Sequence, residues 1–101
     1  MTTIGNFTRT NDRFIGSLKT LSLSISAEFV ALAPSEKGPD FRVISGAIEL
    51  GAAWTKSRKD GGSYLFVRLD NPTFASPIFA SLVETRDGDH ALIWSRRNAA
   101  D

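Results

Sequence analysis

The sequence predicts an all-β fold, a small antiparallel barrel or sandwich of about seven to eight strands. Three observations carry this. Apolar and polar residues alternate strictly through Leu21-Ser22-Leu23-Ser24-Ile25-Ser26-Ala27-Glu28-Phe29, the period of a half-buried strand, which a helix would scatter around its circumference. Turn-forming residues recur at Asn11-Asp12, Gly46, Gly61-Gly62, Asn71-Pro72 and Gly88, the spacing of short hairpins. No segment carries an apolar stripe at helical period.

Taken in order, Ile4 to Arg9 and Arg13 to Thr20 read as a hairpin about Asn11-Asp12, with Leu18 and Leu21 out of parity and a bend or bulge expected there. The alternating strand follows. Ala33-Pro34-Ser35-Glu36-Lys37-Gly38-Pro39 is a loop, because prolines cannot donate to a central ladder. A two-residue turn at Ser45-Gly46 sets Val43 against Ile48, Phe41 against Leu50 and Arg42 against Glu49, which makes one face apolar and gives the other an ion pair. The next strand keeps Ile48, Leu50, Ala52 and Trp54 inside, then turns through Lys59-Asp60-Gly61-Gly62 into Ser63 to Leu69.

Two registers compete in that hairpin. A turn centred on Asp60-Gly61 pairs Trp54 with Val67 and Lys56 with Leu65. A three-residue loop instead aligns Trp54, Lys56 and Arg58 with Tyr64, Phe66 and Arg68 on one face. Burial favours the first, because Leu65, Val67 and Leu69 need an inner face to share. Trp54→Ala separates the two: in the first register it costs about 3–5 kcal/mol, and in the second it leaves a folded chain. The last strands, Pro77 to Glu84 and His90 to Arg97, turn through Asp87-Gly88 and pair Val83 with Leu92 and Leu82 with Ile93. Both faces of that hairpin are then apolar and need cover, from the domain or from a second subunit.

The 101 residues are 42% hydrophobic and 23% charged, with a formal net charge of +1. That length supports a single core, so residues 1–101 are expected to form one domain. The absence of cysteine removes disulfides, thiolate zinc sites and thiol nucleophiles. The longest apolar run, Phe29 to Ala33, falls far short of the ~18 residues of a membrane span, and Met1 to Gly5 lacks a signal-peptide layout, so a soluble cytoplasmic protein without a membrane partner is expected. With the total charge near zero, any electrostatic function must come from local segregation.

Such segregation exists. Residues 54 to 68 hold Lys56, Arg58, Lys59 and Arg68 against Asp60 alone. With Trp54 inside, the outer face of this hairpin carries Thr55, Ser57, Tyr64, Phe66 and Arg68. Aromatic planes beside cations on an open sheet suit single-stranded nucleic acid, whose bases stack on rings while its phosphates meet Lys and Arg. Cover of Tyr64 and Phe66 by a neighbouring loop or subunit, with the cations merely solubilising a turn, is the competing structural explanation. Arg96-Arg97 forms a second small basic site, and a dibasic chain end also serves simply to keep a terminus in solution.

Catalytic chemistry is poorly supplied. His90 is the single histidine, and Asp87-Gly88-Asp89-His90 is read as a hairpin turn rather than a metal or acid–base cluster. No Gly-x-Ser-x-Gly elbow and no phosphate-cradling glycine loop is present. Glu28 and Glu49 are assigned to a solvated face, the latter beside Arg42. A non-enzymatic protein with no cofactor and no metal is expected.

Val43, Ile48-Glu49-Leu50-Gly51-Ala52-Ala53-Trp54 with Lys56, Tyr64-Leu65-Phe66-Val67-Arg68-Leu69-Asp70-Asn71-Pro72, Pro77-Ile78-Phe79-Ala80 and Leu92-Ile93-Trp94-Ser95-Arg96 form a set that, with Ile4-Gly5-Asn6-Phe7-Thr8 and Gly16-Ser17-Leu18-Lys19-Thr20-Leu21, spans nearly the whole chain. In these residues the chain resembles the family called domain of unknown function 736. The resemblance implies a small bacterial protein, of a kind encoded mostly in alphaproteobacteria, on plasmids and other mobile elements beside conjugation or replication genes. It implies no catalytic residues. The Ala33 to Pro39 loop is where partner specificity is expected.

Two functions of different class follow as expectations. The first is a non-enzymatic binding protein of a mobile genetic element that contacts single-stranded nucleic acid or a nucleoprotein through Lys56, Arg58, Lys59, Tyr64, Phe66, Arg68, Arg96 and Arg97. The second is an anti-defence inhibitor that blocks a host CRISPR or restriction effector complex by protein contact. A homodimer built on the doubly apolar terminal hairpin is compatible with either.

Overall fold

A computed structural model describes residues 2–21, 23–33, 36–72, 74–86 and 88–94. Eight strands run in chain order: β1 (Thr2–Thr10), β2 (Arg13–Lys19), β3 (Ser24–Ala31), β4 (Phe41–Ser45), β5 (Ile48–Ser57), β6 (Ser63–Leu69), β7 (Ile78–Arg86) and β8 (Asp89–Trp94). Each pairs antiparallel with the next, and β8 returns to β1 to close a barrel. The fold class and strand number are those expected, and closure decides for a barrel over a sandwich. Closure also removes both sheet edges, which in an open eight-strand sheet would invite pairing with other chains. No helix among the described residues is long and apolar enough to cross a membrane.

At eight strands a barrel is just wide enough for side chains to fill. Here they are aromatic. Phe29 is fully buried and receives the edges of Phe7 (ring centroids 5.0 Å apart, planes at 88°) and Phe14 (5.9 Å, 76°), while Phe41 packs on Phe14 at 5.4 Å. Leu18, Val43, Leu50, Val67, Leu69, Leu82 and Leu92 complete the interior. Large rings from β1 to β4 leave little room on the opposite wall, so β5 contributes small groups, Gly51 and Ala53, at the facing positions.

Three corrections concern register, and a bulge enters each. Along the first hairpin, Asn11-Asp12 is the turn as expected, with Asn11 at φ 55°, but Phe14, Gly16 and Leu18 keep one parity on β2. The irregularity lies instead on β1 against β8, where Ile4 is the extra residue between Thr3 and Gly5. Leu21, assigned to the strand by its alternation, is fully exposed in the connection before β3. Between β4 and β5 the turn is Gly46-Ala47 rather than Ser45-Gly46, so Ser45 faces Ile48 and Ile44 faces Glu49. Gly46 has φ 61°, a conformation that costs glycine nothing.

Leu50 is then the extra residue, and beyond it Val43 faces Gly51, Arg42 faces Ala52 and Phe41 faces Ala53. Arg42 therefore has no ion pair with Glu49. The bulge inverts the parity of the rest of β5: Ala53 is buried with no exposure, Ile48 is 59% exposed, and Trp54 points outward. At the far end Thr85 is the extra residue on β7, which shifts Leu82 onto Leu92 and Val83 onto Ala91. The inner face of that hairpin is covered by the barrel itself, and its outer face carries Phe79, Ser81, Val83, Ala91 and Ile93.

Gly51 marks a close approach between β5 and β6. A β-carbon placed on it would sit 2.0 Å from the backbone carbonyl oxygen of Arg68 on β6, so any side chain forces β5 and β6 apart. Gly51→Ala is expected to cost about 2–3 kcal/mol, the upper part of the range for overpacking. Its chemical-denaturation midpoint would reveal this, and an unchanged midpoint would contradict the close approach.

Candidate nucleic-acid interface

With parity inverted by Leu50, the β5–β6 hairpin adopts the register that burial had disfavoured. Trp54 pairs with Phe66, Lys56 with Tyr64, and Ala53 with Val67. Leu65, Val67 and Leu69 do find an inner face to share, made of Thr55, Ala53 and Gly51 rather than of large apolar residues. Trp54 is accordingly a surface residue, while Thr55 and Ser57, assigned to the outer face, have the inward parity.

The outer face is an aromatic row crossing three strands. Trp54 on β5 and Phe66 on β6 have ring centroids 6.1 Å apart, and Phe66 and Phe79 on β7 lie 5.9 Å apart with planes within 11° of parallel. All three are half-buried, as is Tyr64 at the end of the row nearest the β5–β6 turn. Their spacing is that of neighbours on adjacent strands, so no ring covers another completely and each keeps a surface for a ligand. Phe79 and Trp54 were not among the expected site residues. For Trp54 the signal was available, in the alternation Trp54-Thr55-Lys56 facing Tyr64-Leu65-Phe66-Val67-Arg68; for Phe79 it lies in the register of the β6–β7 ladder, where Phe79 faces Arg68.

Cations border the row on both sides. Arg42, Ala52 and Arg68 are successive cross-strand neighbours on β4, β5 and β6, and Arg68 lies beside Phe79. Lys56 lies on the other side, followed by Arg58 and Lys59 in the turn. Arg68 contacts Asp70 at 3.1 Å and Arg58 contacts Asp60 at 3.8 Å, both well exposed pairs that hold little energy and leave the cations available to phosphate. Arg42, Lys56 and Lys59 have no ion pair among the described residues. The expected residues Lys56, Arg58, Lys59, Tyr64, Phe66 and Arg68 are thus brought to one surface, and Trp54, Phe79 and Arg42 join them. Arg96 and Arg97 lie outside the described residues.

Elsewhere, Glu28 is held by Arg13 at 2.9 Å on the opposite wall. His90 points toward the interior at one mouth of the barrel, its ring edge-on to Phe14 at 4.8 Å and its Nδ1 3.2 Å from the Gly88 carbonyl oxygen. Asp89 beside it meets the Thr8 hydroxyl at 3.4 Å. Among the described residues no three His, Asp or Glu side chains are grouped to hold a metal ion. At the other end, an apolar cleft of about 400 Å³ lies between Ile4, Leu18, Leu23, Phe74 and Ile78.

The model of one protein family, described as a protein of unknown function (DUF736), matches residues 3–97. No curated protein and no solved structure matches the chain.

Proposed function

Since the chain belongs to the DUF736 family, whose description assigns no activity, its function has to be read from its surface, and we propose that it is a non-enzymatic accessory of a mobile genetic element that binds single-stranded nucleic acid on the outer face of β5, β6 and β7. One observation carries the reading: three aromatic side chains stand in a row on a sheet surface with cations on both flanks. Unstacked bases lie on the rings, sequence-tolerantly because every base has a π-face, and phosphates run along Arg42 and Arg68 or along Lys56 and Lys59. A duplex offers its bases only to each other, so the rings have nothing to stack on.

The test is a labelled oligothymidine titrated at several salt concentrations, beside a duplex of equal length. The single strand is expected to bind at least about tenfold tighter than the duplex. Its log affinity should fall with log salt at a slope of roughly −2 to −3, the value for three or four phosphates neutralised on a single strand. No single-strand binding at low salt, or equal duplex affinity, sinks the reading.

The continuation of the face on β7 and β8 favours a second reading. Val83 and Ile93 are half-buried and apolar and carry no cation between them, which suits contact with another protein, as an inhibitor of a host defence complex would need. That reading expects protection of an invading plasmid by a chain that leaves free DNA alone. Failure to protect against any defence system tested removes its support.

A further inference from the structure

The barrel mouth bounded by the β1–β2, β5–β6 and β7–β8 turns is a cup of about 280 Å³. Its floor is Phe14, Phe41, Leu65 and Leu82, and its rim is polar: Arg9, Thr55, Ser63, Glu84 and His90. Arg9 and Glu84 share this rim without an ion pair between them or with any other described residue. The Arg9 guanidinium lies 5.8 Å over the Phe14 ring. The Gly88 carbonyl can only accept, so the His90 Nδ1 beside it carries the proton and Nε2 is the ring nitrogen left for a ligand.

That chemistry excludes most ligands. A free anion meets Glu84, a free cation meets Arg9, and a wholly apolar molecule leaves both exposed rim charges without a partner. What fits is one neutral, planar ring system with donors and acceptors on its edge, lying on the apolar floor with its edge toward the rim. Guanine matches best. Its adjacent N1–H and N2–H groups present two donors to a carboxylate, and its O6 beside them accepts from a guanidinium.

We infer that this mouth is a pocket for a single guanine base, with Glu84 accepting from N1–H and N2–H and Arg9 donating to O6. Tyr64 also lines the cup and ends the aromatic row, so a strand lying on Trp54, Phe66 and Phe79 reaches the rim without crossing a gap. The inference rests on the single-strand reading for the origin of the base, and the two fail separately.

Free guanosine is the probe, with adenosine as control, followed by the NMR signals of the His90 ring in the wild type, Glu84→Gln and Phe66→Ala. Glu84 is exposed, so its replacement leaves the fold intact. Guanosine should shift His90 saturably, adenosine should bind about tenfold or more weakly, Glu84→Gln should weaken guanosine about tenfold or more, and Phe66→Ala should leave it unchanged. No guanosine shift in the wild type, an equal response to adenosine, or a response that survives Glu84→Gln overturns the pocket. Oligothymidine is titrated on the same samples: its binding without a guanosine response removes the pocket alone, and its failure to bind removes the aromatic surface.

Discussion

Replacing Phe29 with alanine is expected to cost about 3–5 kcal/mol and to leave little folded protein, because domains of this size have only about 5–15 kcal/mol in all. Phe29 has no solvent exposure and is the ring onto which both Phe7 and Phe14 turn their edges. Its loss opens a cavity at the barrel axis that no wall can close, since the strands are fixed by a continuous ring of ladders. Circular dichroism against urea measures the effect. A midpoint shifted by less than a conservative core substitution would contradict the packing described.

Trp54→Ala combined with Phe66→Ala is expected to do the opposite. These rings stand on the outer face, so the double variant should lose only about 1–2 kcal/mol, mainly the area and ring contact they share, and remain folded. Its affinity for single-stranded oligothymidine should fall at least about thirtyfold, from two stacked bases at ~1–3 kcal/mol each. Unfolding of the double variant would mean that Trp54 belongs to the core after all. A folded variant with wild-type affinity would mean that the rings bear no bases.

The contrast between Phe29 and Trp54 shows what was legible in the sequence. The number and order of the strands and the Asn11-Asp12 turn were, because alternation and turn-forming residues are local; the start of β3 and the Gly46-Ala47 turn differ from what those signals put there. Parity past a bulge was not. Leu50 and Thr85 look like ordinary members of alternating strands, and what makes each an extra residue is the curvature of a closed barrel, which depends on strands distant in sequence.

One misplaced residue then moved Trp54 from surface to core, because a shift of one exchanges the two faces of everything beyond it. Leu65, Val67 and Leu69 need no large apolar partners across the β5–β6 ladder. The far wall already supplies Phe7, Phe14 and Phe29, so Gly51 and Ala53 are the partners that fit. The basic character of the hairpin needed no register, and its four cations were found directly. The composition of the aromatic row did need one, since Phe79 reaches Phe66 only across a β6–β7 ladder. His90 illustrates the same limit: the turn beside it was visible, but its inward direction follows from the Thr85 bulge and from barrel closure.

Tryptophan fluorescence under titration with oligothymidine tests the nucleic-acid reading most directly, because Trp54 sits in the proposed surface and Trp94 packs against the core. The emission of the wild type should be quenched saturably, and the quench should vanish in Trp54→Phe while the oligonucleotide still binds. Oligonucleotide binding with no change in wild-type emission, or a quench that persists unchanged in Trp54→Phe, would contradict it.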